Sequence, residues 1–421
     1  MILYAYSMVA AALSPLVRHW LQKRMRKGKE DAARLEERFG YASLPRPEGK
    51  VVWVHAASVG ETQSVLGLIR ALVQQDPHAH VLLTTGTVTS AALVAQQAIP
   101  NLIHQFVPVD TPASVHRFMN HWRPDLALWV ESEFWPQLLM QAKRRGIPML
   151  LINARMSERS YRGWAKWPRT VRTILSSFSA IYAGASEDAA RLRALGAEVV
   201  EAGNLKYDAP TLPVDAQALT LLTNQIADRP LWLAASTHPQ EEALVASVHR
   251  QLLRTFPRLL TLIVPRHAVR GQAIAEALTA DGFRVVQRSK GEAIDDTVGI
   301  YLADTMGELG SFYHLSPIVF LGGSLVAHGG HNPLEPARQH CAILSGRHVH
   351  NFASIMQQMQ QAEAIRLVND TEDLAAQLVT WLTHPETAST IAENAYALVQ
   401  QSRGATQTIL ARVETMLRGD A

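Results

Sequence analysis

The sequence predicts an α/β protein made of two doubly wound domains, each built on a parallel sheet with helices on both faces. Strand-like runs that are apolar throughout alternate with helical segments, a pattern typical of parallel sheets buried on both sides. The 421 residues are enough for two domains. A stretch broken by Pro210 and Pro213, YDAPTLPVDAQAL, separates one series of strands from the next and indicates a linker.

Each series contains seven predicted strands, with helical candidates such as ETQSVLGLIRALVQQ and FWPQLLMQAKRRG between them. The first series comprises KVVWVHAAS, HVLLTTGT, LIHQFVPV, LALWVESE, PMLLINAR, AIYAGAS and AEVVEAGN. The second comprises LWLAAST, LLTLIVPR, FRVVQRS, VGIYLAD, PIVFLGGS, CAILSG and AIRLV. From about Thr371 onward the sequence predicts helix alone. We therefore expect an N-terminal segment at 1–28 and domains at 29–208 and 209–421.

Composition limits the classes of function. The formal charge of +3 is too small to indicate a nucleic-acid partner, and no nucleic-acid-binding motif accompanies it. The single cysteine, Cys341, excludes an intramolecular disulfide and suits a reducing compartment. Its sequence context favours a small buried side chain over a nucleophile.

The N-terminus combines an apolar run with a basic one. MILYAYSMVAAALSPLV is followed by six Lys or Arg residues, and no acid, between Arg18 and Lys29. A secretory signal has its positive charge before the apolar run, so the order here is reversed. A short membrane anchor or a helix in the membrane plane fits this pattern, with the basic residues on anionic headgroups and Trp20 at the interface. The alternative is a helix packed on the body of the protein.

Polar residues follow the predicted strands, at the sheet edge where ligands of such folds bind. Ser58 and Glu61 in HAASVGETQ have the spacing of a helix capping box, which needs no function. A carboxylate at a helix N-terminus is also held ionised by the helix dipole and can accept a proton. Gly60 permits close approach of a substrate to the backbone. The spacing leaves both interpretations open.

Two further stretches of the first half carry charge. Glu131 and Glu133, in WVESEFWPQ, share one face if the segment is extended, with Ser132 on the other. A solvated turn and a polar active site both account for them. Lys206 in GNLKYD precedes the linker, where the two domains are expected to face each other, although a lone lysine is usually a surface residue.

The second half of the sequence contains residues that can bind an anion. Arg266, after the strand in IVPRH, can hold a phosphate through two parallel hydrogen bonds. ADTMGELGSFY places Gly307 at a turn and Glu308 in the first turn of a helix.

GGSLVAHGGHNPLEPA, from Gly322 to Ala337, contains four glycines before a helix that Asn332 caps and Pro333 opens. A structural turn, a metal site at His328 and His331, and an anion cradle compete for this stretch. A turn needs fewer glycines, and no ligand cluster supports a metal. Backbone N–H groups left free at a helix N-terminus favour the anion cradle, although the Lys-Ser/Thr ending of a P-loop is missing.

Taken together, these stretches resemble a known family. SVGE, ESEFWP, NAR, LKYD, STH, VPRH, DTMGEL and GGSLVAHGGHNPLEPA occur in the order found in the 3-deoxy-D-manno-octulosonic acid (Kdo) transferases of lipopolysaccharide synthesis. The resemblance runs from the apolar N-terminus to the last helices. It differs at Ala327 and His328, where charged residues are common in the family, and this bears on the detail of donor or acceptor recognition.

The resemblance implies a GT-B fold, with two Rossmann-like domains facing across a cleft, and an inverting transfer of Kdo. The implied donor is CMP-Kdo and the implied acceptor is a hydroxyl of a lipid A precursor, lipid IVA. It implies Glu61 as the general base, with Glu131 and Lys206 supporting the transition state. The residues implied to line the CMP site are Pro265, Arg266, Met306, Gly307, Glu308, Asn332, Pro333, Leu334 and Glu335.

No cofactor or metal is expected, because helix N–H groups and Arg266 can stabilise a single departing phosphate. The expected location is the cytoplasmic face of the inner membrane, whose anionic lipids the basic segment contacts. Two alternatives keep part of this pattern. Another GT-B transferase or epimerase has no need of the basic segment, and a non-catalytic membrane-associated nucleotide-binding protein has no use for Glu61.

Overall fold

The structure, a computed structural model, describes residues 2–418. They form two compact units. The first contains the described residues up to Ala209 together with those from Ser402 onward, and the second is Pro210–Gln401. Each unit has its own parallel sheet.

The first unit is built around a sheet that, in the described chain, has seven parallel strands in the order β3-β2-β1-β4-β5-β6-β7. The strands are β1 Val51–His55, β2 His80–Thr85, β3 Leu102–Phe106, β4 Leu126–Val130, β5 Met149–Ala154, β6 Ala180–Ala183 and β7 Val200–Glu201. The helices α1 Ile2–Ala12 and α2 Ser14–Arg26 precede the sheet. The helices between its strands are α3 Val59–Gln75, α4 Val88–Ala95, α5 Pro112–Trp122, α6 Pro136–Arg144, α7 Glu158–Trp164, α8 Pro168–Leu175 and α9 Ser186–Ala194. Short 3₁₀ helices cover Leu35–Phe39 and Leu205–Asp208.

The second unit repeats this architecture, again with seven parallel strands among its described residues, in the order β10-β11-β9-β8-β12-β13-β14. The strands are β8 Leu231–Thr237, β9 Leu260–Pro265, β10 Val285–Gln287, β11 Ile300–Leu302, β12 Ile318–Leu321, β13 Ala342–Ser345 and β14 Arg366–Leu367. The helices are α10 Ala216–Ile226, α11 Glu241–Leu252, α12 Gly271–Ala280, α13 Leu309–Leu315, α14 Leu334–Ala337, α15 Ala353–Gln361, α16 Thr371–Thr383 and α17 Pro385–Gln401. Three short 3₁₀ helices, at Ala268–Arg270, Arg288–Lys290 and His350–Phe352, complete the described elements of this unit.

The central strands are buried along their whole length because helices cover both faces of each sheet. β1, β4 and β5 have no partly exposed residue, and β9 and β12 are equally buried. In the first unit Trp53 and Trp129 pack edge to face, with ring centroids 5.1 Å apart. Continuous apolar strands therefore produce the double burial that the sequence predicts. Each predicted strand is present, and the residues after Thr371 are helical apart from short connections.

The last helix, α18 Ala405–Arg418, belongs to the first unit, whereas the sequence assigns residues 209–421 to one domain. Ala405, Ile409 and Val413 enter the apolar core around β1 and α3. Asp208 fixes the start of the helix by accepting hydrogen bonds from the backbone N–H groups of Gly404 and Thr406. Burial of this apolar stripe explains why the chain returns to the first unit.

The apolar N-terminus forms two helices that meet at Leu13. α1 contacts α5 and α6, where Tyr6 donates a hydrogen bond of 2.9 Å to Asp110, and Gln137 donates one to Ser7. The opposite face of α1 leaves Tyr4 69% and Met8 62% exposed, and in α2 Leu16 is 64% and Trp20 51% exposed. Among residues 2–418, no helix has both the length and the apolar character that a membrane crossing requires.

Candidate active site

The first group of candidate residues follows β1 and β4 in the centre of the first sheet. These strands are neighbours, but the chain adds β2 and β3 on the far side of β1 before it reaches β4. In open parallel sheets, ligands bind outside the carboxyl ends of the strands at this reversal of strand order. Glu61 lies shortly after β1, and Glu131 directly follows β4.

Glu61 is held at the start of α3 by a reciprocal cap. Ser58 Oγ accepts a hydrogen bond from the Glu61 backbone N–H and donates one of 2.8 Å to Glu61 Oε1. The backbone N–H of Ala57 donates to Glu61 Oε2 at 2.7 Å. The predicted capping box is therefore present, and it fixes the direction of the carboxylate.

The helix dipole predicts that Glu61 is ionised, but the burial of its side chain favours the protonated form. The side chain is almost fully buried, with 7% of its surface exposed. Burial raises the pKa of Glu61 to about 7, although the hydrogen bonds from Ser58 and Ala57 lower it. Burial therefore outweighs the cap. A carboxylate with a pKa near neutrality can accept a proton efficiently at physiological pH.

Glu131 and Glu133 do not lie on an extended segment, so the condition under which they would share one face is not met. Glu131 has a left-handed backbone with φ +58°, so the chain bends directly after β4. Arg155 Nη1 lies 3.4 Å from Glu131 Oε2, and burial raises the pKa of Glu133. Both acids also act electrostatically on Glu61, whose pKa they raise. A non-glycine residue in this backbone region stores strain, which is common at functional sites.

Lys206 lies in the 3₁₀ helix Leu205–Asp208, whose start is capped by the Asn204 side chain. It is half-buried rather than a solvated surface residue. Burial lowers its pKa, while the charges of Glu131 and Glu61 raise it and Arg155 lowers it. These interactions bring Lys206, Glu61 and Glu131 into one electrostatic group within the first unit.

Asn153 and His55 are two buried polar residues for which the sequence predicts no individual role. Asn153, at the end of β5, has φ +49° and a side chain with no hydrogen-bond partner at either amide atom. His55 ends β1; burial lowers its pKa to about 3, so it is neutral. The signal for Asn153 is the polar NAR stretch, which begins in the last two residues of a buried strand.

Arg266 and Glu335 belong to the second unit. Arg266 directly follows β9, and Glu335 lies in α14. Arg266 is exposed, and its backbone N–H donates to the Thr237 carbonyl at 3.0 Å. Burial raises the pKa of Glu335, while Asn332, Arg338 and Arg266 lower it. The Asn332 side chain accepts from the Leu334 N–H at 3.2 Å, but Pro333 and not Asn332 is the N-cap residue of α14, so the predicted cap is shifted by one residue. The helix itself begins at Leu334, one residue after Pro333.

Met306, Gly307 and Glu308 form the turn between β11 and α13. Met306 is 72% exposed, and Gly307 has φ +87°, which favours glycine. Glu308 precedes α13 instead of lying in its first turn. Its carboxylate pairs with Arg288 at 2.7 Å and accepts from the Thr305 hydroxyl, and these contacts lower its pKa.

The structure of the glycine-rich loop, residues 322–330, contradicts the anion-cradle hypothesis. The backbone N–H groups of Gly323, Ser324 and Leu325 donate to the carboxylate of Glu241, a fully buried residue of α11. Those of Gly329 and Gly330 donate to the Gly323 carbonyl. The N–H groups expected to meet a ligand are therefore bonded within the protein.

The glycines themselves have structural reasons to be glycine. Gly323, Gly329 and Gly330 have positive φ, and a Cβ on Gly322 would lie 2.6 Å from the Ser236 carbonyl oxygen. The surplus glycines thus close a folded turn against β8.

The metal hypothesis for His328 and His331 has no geometric support. Their ring centroids are 6.4 Å apart, and the Nε2 atom of His331 faces Nε2 of His238 at 2.9 Å. Within the part of the chain that the structure describes, no three His, Cys, Asp or Glu side chains are placed to hold a metal ion. Cys341 is buried, as expected, and burial raises its pKa to about 12.

Comparison with known proteins gives a family and a fold. Residues 33–209 match the family model of 3-deoxy-D-manno-octulosonic-acid transferase (kdotransferase). The 3-deoxy-D-manno-octulosonic acid transferase of Haemophilus influenzae is 36% identical over 97% of each chain. A probable mitochondrial enzyme of the same name from Arabidopsis thaliana is 34% identical, over 91% of this chain and 89% of that protein.

The solved UDP-GlcNAc 2-epimerase of Neisseria meningitidis, bound to UDP-GlcNAc, shares the fold. Its TM-score is 0.57 at 15% identity, covering 88% of this chain and all of that one. This confirms the GT-B class, with two Rossmann-like domains. The identity to the named transferases over nearly the whole chain shows more than the fold. The chain belongs to the Kdo transferase family and is a glycosyltransferase.

Proposed function

We propose that the protein transfers Kdo from CMP-Kdo to a hydroxyl group of lipid IVA, with inversion at the anomeric carbon. The observation that carries this proposal is Glu61, a capped and buried carboxylate whose pKa is about 7. It lies at the carboxyl edge of the first sheet, in an electrostatic group with Glu131 and Lys206. Family membership supplies the transferred sugar.

In this mechanism Glu61 is the general base. The acceptor hydroxyl loses its proton to Glu61 as the oxygen attacks the anomeric carbon. The bond between that carbon and the phosphate oxygen breaks, and CMP leaves with the electron pair. Glu131 orients Arg155 and offsets the charge of Lys206. The Lys206 ammonium stabilises negative charge that develops in the transition state.

The donor is assigned to the second unit. The proposed CMP site comprises Pro265, Arg266, Met306, Gly307, Glu308, Asn332, Pro333, Leu334 and Glu335. Exposed Arg266 is available for the phosphate. Asn332 and Glu335, joined by a hydrogen bond of 3.3 Å, offer both amide and carboxyl groups to the nucleoside. Glu308 is already paired with Arg288, so its role is to fix the turn that carries Met306 and Gly307.

The direct test is transfer by the purified full-length protein. We expect CMP-Kdo and lipid IVA in detergent to yield a product heavier by whole Kdo units in mass spectrometry. UDP-GlcNAc with the same acceptor serves as the control donor and should yield none. Transfer from the UDP sugar, with none from CMP-Kdo, would contradict the proposed donor.

We further propose that residues 1–28 attach the protein to the cytoplasmic face of the inner membrane, with α1 and α2 lying in its plane. The exposed side chains of α1 and α2 supply an apolar surface next to a basic one. Arg18 and Arg24 are paired with Glu36 and Glu30. Exposed basic residues are available for anionic lipid at Lys23, Arg26, Lys27 and Lys29.

Deleting residues 1–17 should separate the apolar contribution from the electrostatic one. Full-length protein should stay on anionic vesicles at high salt, because apolar burial is not screened. The truncated protein should bind at low salt and dissociate at high salt. Its binding then depends on the basic residues, each of which contributes about 1 kcal/mol near anionic lipid. Salt screens this attraction, with a Debye length of about 8–10 Å near physiological ionic strength. Co-sedimentation across a salt series measures both, and transfer in detergent should survive the deletion.

A matched variant controls for the loss of packing in that deletion. Met8→Glu with Leu16→Glu changes the exposed face only and leaves the Tyr6–Asp110 hydrogen bond in place. It should behave like the truncated protein on vesicles. If both forms bind as tightly as the full chain, the segment packs on the protein and anchors nothing.

A further inference from the structure

Four histidines meet at the carboxyl edge of the second sheet. His238 follows β8, His267 follows β9, and His328 and His331 lie in the loop after β12. β8 and β12 are neighbours, although the chain forms β9, β10 and β11 on the other side of β8 first. This group, the histidine cluster, therefore occupies the strand-order reversal of the second unit, where ligands of such sheets bind.

The rings of the histidine cluster are in direct contact. His238 Nε2 lies 2.9 Å from His331 Nε2, with the two ring planes 8° apart. The His328 ring stacks on His238 at a centroid distance of 3.6 Å, and the His267 ring stands perpendicular to it at 6.2 Å. When both rings are neutral, one N–H of the facing pair donates and the other nitrogen accepts.

Arg266 places a permanent positive charge beside the cluster. Burial lowers the pKa of His238 to about 4, with His328, His267 and Arg266 lowering it further and Glu242 raising it. Burial, His238, Arg266, His328 and His267 lower the pKa of His331 to about 3.

The nearby acids are already bonded. Glu242 makes two hydrogen bonds to Arg270, at 2.8 and 3.0 Å, and Glu241 accepts from backbone N–H groups. A negative group placed against the cluster would therefore meet no repulsion from an unpaired carboxylate among the groups that face it.

We propose that the histidine cluster binds an oxyanion of the sugar donor, and that one proton from solvent joins the His238–His331 pair when the donor binds. This inference rests on the proposed function, because CMP-Kdo carries two such groups: its phosphate and the carboxylate of the octulosonic acid. No bond to carbon or phosphorus breaks in this step. The proton returns to solvent when the anion leaves.

Linkage sets the direction of the pH effect. An anion beside the pair raises its pKa in the complex above the values of about 4 and about 3 in the free protein. Between these values and the pKa in the complex, binding takes up a proton, so the affinity rises as the pH falls. The effect should appear from about pH 7 down to about pH 5.

Calorimetric titration in buffers of different ionisation enthalpy counts the protons. With full-length protein we expect uptake of about one proton with CMP-Kdo at pH 6 and none with cytidine. CMP tests the source of the oxyanion. If CMP causes proton uptake that depends on the histidines, the bound oxyanion is the phosphate. If only CMP-Kdo causes proton uptake, the bound oxyanion is the Kdo carboxylate. Because the phosphate of CMP itself titrates near pH 6, the wild-type value is compared with that of each variant.

His238→Gln and His331→Gln each place a side-chain amide near the facing ring nitrogen. The amide can form a hydrogen bond but does not titrate in this pH range. Each should lose the proton uptake, weaken CMP-Kdo binding about tenfold at pH 6 and flatten its pH dependence. His384→Gln, an exposed histidine in the same unit, should behave as wild type. His328→Gln, also exposed, provides a second readout if a buried variant fails to fold.

The outcomes separate this inference from the proposed function. Variants that bind CMP-Kdo with the wild-type proton count and pH dependence overturn the histidine-cluster proposal and leave the donor assignment intact. Wild-type protein that binds neither CMP nor CMP-Kdo overturns both.

Discussion

Replacing Glu61 by Gln should reduce Kdo transfer about 10²- to 10⁴-fold while leaving CMP binding unchanged. Gln has the same shape and can keep both contacts of the wild-type cap: its oxygen accepts from the Ala57 N–H, and its NH₂ group donates to Ser58 Oγ. It cannot take a proton from the acceptor. Single-turnover transfer, together with calorimetric titration of CMP, measures the two effects separately.

The pH profile provides an independent readout of the same residue. A general base works in its ionised form, and the pKa of Glu61 is about 7. At saturating CMP-Kdo, the wild-type kcat/KM for the lipid acceptor should therefore fall about tenfold per pH unit below this value and level off above it. The residual activity of Glu61→Gln should show no such break.

Ser58→Ala is the matched control. The Ser58 hydroxyl lowers the pKa of Glu61, so its removal should move the break to higher pH while turnover at high pH survives. The change also removes an N-cap, at a cost of about 1 kcal/mol in stability. A folded Glu61→Gln variant with near-normal turnover would mean that Glu61 is only a cap.

The architecture could be predicted because apolar strands report burial directly. β1 and β4 each consist of five buried residues, and in the sequence this burial is visible as an apolar run that is continuous in β4 and ends at His55 in β1. Glu61 could be predicted for a related reason. The Ser58–Glu61 cap depends on a spacing of three residues, which is visible in the sequence.

The rest depended on long-range contacts. Burial reversed the expectation that Glu61 is held ionised, because the core around α3 includes residues from β2 and from α18 at the far end of the chain. The backbone bend at Glu131 could not be predicted from its alternation with Glu133, since strand periodicity stops where the strand ends. α1 similarly depends on Asp110, a residue 104 positions away from Tyr6.

The glycine-rich loop is the largest difference between expectation and structure. Its sequence favoured free N–H groups before a helix, and this inference was locally sound. The groups are occupied by Glu241, which lies 82 positions before Gly323. A motif can therefore identify a family while its glycines hold the protein together.

Glu241→Gln should strongly destabilise the second unit. The wild-type carboxylate accepts from His238 N at 3.0 Å and from Ser324 N and Leu325 N at 3.0 and 3.1 Å, as well as from Gly323 N. Gln offers one oxygen and turns an NH₂ group towards the remaining donors. Two donors lose their acceptor, and each buried donor without a partner costs about 1–3 kcal/mol, so we expect a loss of about 2–6 kcal/mol.

Hydrogen exchange localises this effect better than a global melting curve, because the protein has two units. Amides of the segment from Gly323 to Leu325 should exchange much faster in Glu241→Gln than in wild type. The first unit should keep its protection. Glu276→Gln changes an exposed carboxylate of the same unit and should leave exchange and melting unchanged.

The same variant decides between the two interpretations of the loop. If the Glu241 carboxylate only stands where a ligand phosphate belongs, its neutralisation should tighten CMP binding, because a competing anion has been removed. If it is a permanent part of the fold, neutralisation should weaken CMP binding, since the loop that leads to His331 and Asn332 loses its support. We expect weaker binding together with lost protection. Tighter binding with unchanged exchange would restore the anion cradle.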